Sequence, residues 1–103
     1  MLYVNTQERS PLILYKKYLY KYIKKNDLRF SEQREQVLKT LHGLSNPITI
    51  EALTELINRE GYPIISYTTT VRHVNFYRDI GWITVVNKVH KQYILVKTAS
   101  PII

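Results

Sequence analysis

The sequence predicts a mostly helical α+β fold, with four helices in succession and then a β-hairpin. Three observations lead there. Apolar residues recur at helical spacing in four separate stretches before Gly81, and each stretch opens on residues suited to start a helix. The pattern then changes to two runs rich in β-branched and aromatic residues, Trp82–Val86 and Gln92–Val96. The chain has 103 residues, 45% of them hydrophobic and 22% charged, which suits one folded domain with one modest core.

Residues 1–9 show no period and are expected to be loose. Ser10-Pro11 marks a start, because Ser caps and Pro is tolerated at the first helical position. The first helix is expected over about residues 11–25. Leu12, Tyr15, Leu19, Tyr22 and Ile23 form its apolar face, with Lys17, Lys21, Lys24 and Lys25 opposite. Asn26-Asp27 breaks it. Ser31 caps a second helix over about 32–43, with Glu32 near its positive end and Val37, Leu38, Leu41 and Leu44 inward. After a turn from Gly43 to Pro47, Thr49 caps a third over about 50–60. Leu53, Leu56 and Ile57 face inward there, and Gly61 is the stop. Ser66 caps a fourth over about 67–80, ended by Gly81. Spacing turns Tyr67, Thr70, Val74 and Tyr77 inward and leaves Thr68, Thr69, Arg72 and Asn75 outside, with Phe76 exposed near them. The hairpin spans about 82–96 and has a basic tip, Asn87 to Lys91. The tail 98–103 has no clear period.

An extra N-terminal helix, a three-helix core and a two-stranded wing make a winged helix-turn-helix, with the domain expected over residues 10–97. In a helix-turn-helix the second helix of the pair enters the DNA major groove and the first crosses the backbone.

Charge points the same way. Lys and Arg total 15 against 8 Asp and Glu, a formal net charge of +7, which favours an anionic partner. A Lys-rich solvated surface with no such partner accounts for the same count. The absence of cysteine removes disulfides, thiol nucleophiles and Cys-based zinc sites, and fits a cytoplasmic protein. No apolar run approaches the ~20 residues of a membrane span, and Leu12–Tyr15 is too short for a signal-peptide core. His42, His73 and His90 lie on different elements without ligand spacing, so no metal or other cofactor is expected. His73 falls on the flank of the fourth helix, within reach of DNA or a partner. Glu51 and Glu55 sit at i, i+4 on an ordinary surface helix. There is no glycine-rich phosphate loop and no supported Ser/His/Asp set, so an enzyme is not expected.

At Leu28–Leu38 and Ser66–Ile83 the chain resembles the DNA-binding domain of the ferric uptake regulator family of bacterial metal-responsive repressors. The first segment follows the family pattern Gly-Leu-(Lys/Arg)-x-Thr-x-x-Arg-x-x-(Val/Ile)-Leu as Leu28, Arg29, Ser31, Arg34, Val37 and Leu38. The second follows Ser-x-x-Thr-Val-Tyr-Arg and its closing Gly-(Ile/Leu)-(Val/Ile) through Ser66, Thr69, Thr70, Val71, Arg72, Gly81, Trp82 and Ile83. The resemblance covers about Tyr22 to Leu95. It implies a nucleoid-associated regulator binding double-stranded DNA. It also implies that Arg72 contacts DNA from the recognition helix, that Arg29 approaches the minor groove and that Arg34 contacts phosphate. Val71 stands where the family has a Tyr touching thymine methyls. Two departures concern metal: Pro47 falls near a ligand His of the family, and Ile94 where the second wing strand supplies a ligand Glu. The family's dimerisation domain, with its structural cysteine pairs, has no counterpart in these residues. The resemblance therefore implies DNA binding without metal sensing in this chain.

The candidate DNA-contacting residues are Arg72, Thr69, Thr68, Asn75, Arg29, Arg34, Tyr67, Val71, Lys88 and Lys91. Several have a plainer reading: a surface ion pair with Asp79 or an acid on a neighbouring helix for Arg72, capping for the Thr residues, core for Tyr67, a solvated turn for the two Lys. Two rival functions stand beside DNA binding. One is a winged-helix module that binds a partner protein, which an exposed Phe76 and the Tyr-rich first helix favour. The other is a membrane-surface helix over residues 11–25. Homodimer contact through the first helix or the tail Ser100–Ile103 would supply a second half-site reader, and packing within the monomer accounts equally for both.

Overall fold

The computed structural model of the chain describes residues 10–61 and 64–95. The expectations for residues 1–9, Val96 and the tail lie outside the described residues. The elements are helices α1 (Leu12–Lys25) and α2 (Glu32–His42), strand β1 (Ile48–Thr49), helices α3 (Ile50–Glu60) and α4 (Tyr67–Asp79), and strands β2 (Ile83–Asn87) and β3 (Gln92–Leu95). The chain divides into two compact units, Met1–Phe30 with Lys97–Ile103, and Ser31–Val96.

In the first unit, α1 buries Tyr15, Leu19 and Ile23, the i, i+4, i+8 stripe expected of an amphipathic helix. Its start differs from the expectation. Pro11 is the N-cap itself, with an extended ψ of 148°, and no side chain caps the helix. The Pro11 carbonyl takes up the Leu14 N–H at 3.0 Å instead. Asn26 closes the helix and Asp27 adopts a left-handed φ of 53°, a conformation Asp tolerates better than most residues. Lys17 and Lys21 approach the face of the Tyr18 ring at 6.0 and 5.5 Å, so part of the Lys ridge lies along its own helix.

In the second unit, three helices start on side-chain caps, and for one reason: a hydroxyl oxygen accepts an N–H left unpaired by the first turn. Ser31 accepts from Arg34 at 3.1 Å, Thr49 from Ala52 at 3.2 Å and Ser66 from Thr69 at 3.1 Å. Val37, Leu38 and Leu41 of α2, Leu53 and Ile57 of α3, Val74 and Tyr77 of α4, Trp82 just before β2, and Ile83 and Leu95 of the sheet form the core. At about 2 kcal/mol per fully buried Leu-sized side chain, this core is the main term holding the unit together. Leu44 and Leu56, expected inside, are only half-buried.

The sheet has three antiparallel strands in the order β1-β3-β2, not the two strands expected. The extra strand is two residues long, with Ile48 opposite Tyr93 and Thr49 opposite Gln92. Two residues cannot display a period of two, so no sequence signal marks it. β2 and β3 form the wing, pairing Ile83 with Leu95 and Val85 with Tyr93, with a register irregularity between Val85 and Asn87.

Candidate nucleic-acid interface

The geometry of α4 begins before the helix. Asn58, near the end of α3, donates from Nδ2 to the Ile65 carbonyl at 2.9 Å and accepts the Ile65 N–H on Oδ1 at 2.8 Å. This two-bond clamp fixes the backbone one residue ahead of the Ser66 cap. Gln33 of α2 donates to the neighbouring Ile64 carbonyl at 3.2 Å. Inside the first turn, the Thr54 hydroxyl of α3 meets the Thr70 hydroxyl at 2.7 Å, and Thr70 bonds the Ser66 carbonyl at 3.0 Å. At the far end the Tyr77 hydroxyl donates to the Arg34 carbonyl of α2 at 2.5 Å, while its ring stacks on Trp82, with centroids 5.8 Å apart and planes 7° from parallel. Gly81 turns the chain into the wing at a φ of 89°, a left-handed value glycine adopts without strain.

The buried residues of α4 are Thr70, His73, Val74 and Tyr77, at i, i+3, i+4 and i+7. Three expectations are corrected. Tyr67 is 53% exposed, not inward, because the stripe that packs starts one turn later. His73 is buried and not on a free flank. Burial first, and then the charges of Arg34 and Arg72, lower its pKa from 6.5 to about 4, so the imidazole is neutral at physiological pH. Phe76, expected to be exposed, is half-buried beneath the Arg34 guanidinium, whose central carbon lies 4.5 Å from the ring centroid.

The opposite face carries Tyr67, Thr68, Arg72 and Asn75, all exposed, with Thr69 and Val71 at its margins. Among the described residues, Arg72 makes neither a hydrogen bond nor an ion pair, so the Asp79 pairing considered for it is not formed. The wing tip brings a second exposed group, Lys88, Val89, His90 and Lys91. Asn87 Oδ1 accepts the N–H groups of Val89 and His90, both at 3.1 Å, and Lys91 takes a left-handed φ of 50°. A groove of about 330 Å³ separates the two groups, lined by Tyr67 and Val71 on α4, His90 and Lys91 on the wing, and Thr49 and Glu51 beyond. The structure thus brings nine of the ten candidates into one unit. Arg34 is among them but lies on α2 against Phe76. Arg29 and the Lys ridge belong to the other unit, where Arg29 is exposed after α1. The Asn58 clamp and the Asn87 turn were not expected. An Asn near a helix end or beside a turn is too common to mark a bond to backbone seven residues away.

No family model and no curated protein sequence matches the chain. Solved structures do. The ferric uptake regulator (Fur) of Helicobacter pylori superposes with a TM-score of 0.78 over 88% of this chain at 27% identity, and is described as having three functional metal-binding sites. The fold is Fur-like. A zinc uptake regulator solved with zinc and DNA follows at a TM-score of 0.67, over 93% of this chain at 24% identity, a likeness of fold alone. The chain spans 61% and 59% of the lengths of those two proteins. The Helicobacter pylori protein is a regulator by name, in agreement with the resemblance read from the Ser66–Ile83 and Leu28–Leu38 segments. Fur is described with metal sites. Here, among the described residues, no three His, Cys, Asp or Glu side chains are grouped to hold a metal ion.

Proposed function

We propose that this chain is a sequence-specific, DNA-binding transcriptional regulator of the Fur-like, winged-helix type that does not sense metal through these residues. The observation that carries the reading is Arg72. It stands exposed on the outer face of a rigidly mounted helix, without a competing carboxylate among the described residues, in a chain of net charge +7. A guanidinium so placed suits bidentate contact with guanine O6 and N7 or with phosphate. Thr68, Thr69 and Asn75 supply shorter polar contacts beside it, and Tyr67 and Val71 apolar ones. Lys88, Lys91 and the exposed Lys of α1 anchor phosphates, and Arg29 reaches toward the minor groove as the resemblance implies. Pro47 and Ile94, which carry no donor side chain, support the absence of metal sensing. The domain that does this spans residues 10–97. Two copies on paired half-sites would supply the valence one such domain lacks; light scattering at high concentration tests this, and a strict monomer removes it.

Fluorescence anisotropy of a labelled AT-rich duplex, with random duplex as competitor, tests DNA binding. The expected result is salt-dependent binding by the wild type, with a log–log salt slope near −4.5 for about five neutralised phosphates, and loss of that binding in Arg72→Ala. Equal weak binding by both proteins would sink base reading by α4. It would favour the second reading, a protein-interaction module, for which the exposed apolar side chains Ile13, Phe30 and Val89 are the supporting observation.

A further inference from the structure

The resemblance implies a phosphate-contacting role for Arg34. The geometry points elsewhere: we propose that Arg34 is a positioning residue that seats the recognition helix on α2 through the face of Phe76. The inference rests on the DNA-binding reading of α4.

Three observations converge on residue 34. Its guanidinium carbon lies 4.5 Å from the centroid of the Phe76 ring, within the range of a cation–π contact. Its carbonyl accepts the Tyr77 hydroxyl at 2.5 Å. Its N–H is the one the Ser31 cap accepts, at 3.1 Å. Side chain and backbone of one residue on the first turn of α2 therefore hold two consecutive residues of α4. Phe76 in turn meets Tyr77 edge to face, with centroids 5.2 Å apart and planes at 78°, and Tyr77 stacks on Trp82 at the root of the wing. The chain of contacts runs from the α2 N-terminus through α4 to the wing. A residue spread over an aromatic ring has its planar face engaged, and that face is what a Lys ammonium cannot reproduce.

Phosphate contact and positioning differ in what a lysine can replace and in the salt dependence. An ammonium serves a phosphate nearly as well, and losing one phosphate contact shallows the log–log salt slope by about 1. Losing the seat tilts Arg72 away from its target while the protein's remaining phosphate contacts, and hence the slope, persist. The test measures duplex affinity and salt slope for wild type, Arg34→Lys, Arg34→Gln, Phe76→Leu and the Arg34→Lys/Phe76→Leu double variant. Each is also checked for folding by thermal melt, and affinities are compared well below the melting transition. The expected result is that all three single variants weaken specific binding by a similar factor, roughly three- to tenfold, and lower the ratio of AT-rich to random-duplex affinity. Their slope stays at the wild-type value, and the double variant is no worse than either single change within it. Wild-type binding by Arg34→Lys, with a shallower slope in Arg34→Gln, overturns the proposal and restores the phosphate role. Reduced melting temperatures with unchanged affinity in the folded proteins also overturn it, leaving a stabilising contact only. If the wild type itself binds no duplex, the DNA-binding reading fails first, and the control separates that from failure of the Arg34 role.

Discussion

The α4 helix and the wing tip both offer exposed basic and polar groups, and they are built in opposite ways. α4 is tied at its entry by Asn58, at its first turn by Ser66 and Thr54, and at its last turns by Arg34 and Trp82. The described bonds holding the backbone of the wing tip come from one side chain, Asn87, and all four residues that follow it are exposed. The difference matches what each would have to do. Base edges are read by directional hydrogen bonds, which a small tilt destroys. Phosphate attraction is long-ranged and tolerates movement, so a lightly held Lys still contributes. A rigid reader and a loose anchor are thus expected within one unit.

The comparison breaks most visibly at Tyr77. Tyr77→Ala removes a fully buried ring, its stack on Trp82 and its bond to Arg34, and is expected to destabilise the domain by about 3–5 kcal/mol. Urea unfolding checks this; a loss under about 1 kcal/mol would mean that α4 is mounted by its N-terminal contacts alone.

Acid should loosen α4 before the wing, through His73. Its folded pKa of about 4 lies below the value of 6.5 for a free side chain. The unfolded chain therefore takes up the proton first. The stability this histidine contributes is present above about pH 6.5 and is lost as pH falls toward 4, by no more than about 3 kcal/mol. Unfolding free energies of wild type and His73→Leu at neutral pH and at about pH 4.5 should differ chiefly in the wild type's slope. Parallel profiles would remove His73 from the account.

Two smaller changes sharpen the contrast. Ser66→Ala is expected to cost about 1 kcal/mol through the lost cap, measured by thermal melt, and to weaken base discrimination with it. Asn87→Ala should leave stability within about 0.5 kcal/mol. It should lower duplex affinity only slightly and equally for every sequence, because it loosens an anchor and not a reader. A sequence-dependent loss on competition with random duplex would show that the wing reads bases as well.

Much of this was legible in the residues. The Ser31, Thr49 and Ser66 caps, the Val37-Leu38-Leu41 stripe, the Gly81 stop and the β-branched runs of the wing act over four residues or fewer. Local chemistry alone places helices α2, α3 and α4 and the hairpin. The charge of +7 and the spacing around Arg72 carry the DNA-binding proposal before any packing is known. What tertiary structure decided is which near-equivalent residues face in. Tyr67 is aromatic and His73 polar, so composition favours Tyr67 for the core. The packed stripe takes His73 and leaves Tyr67 on the groove toward the wing. Tertiary structure also decided β1, whose two residues carry no period, and the meeting of Arg34 with Phe76 and Tyr77, the latter 43 residues away. Such pairs depend on where α2 and α4 cross, and that crossing is set by the whole core, not by any segment of it.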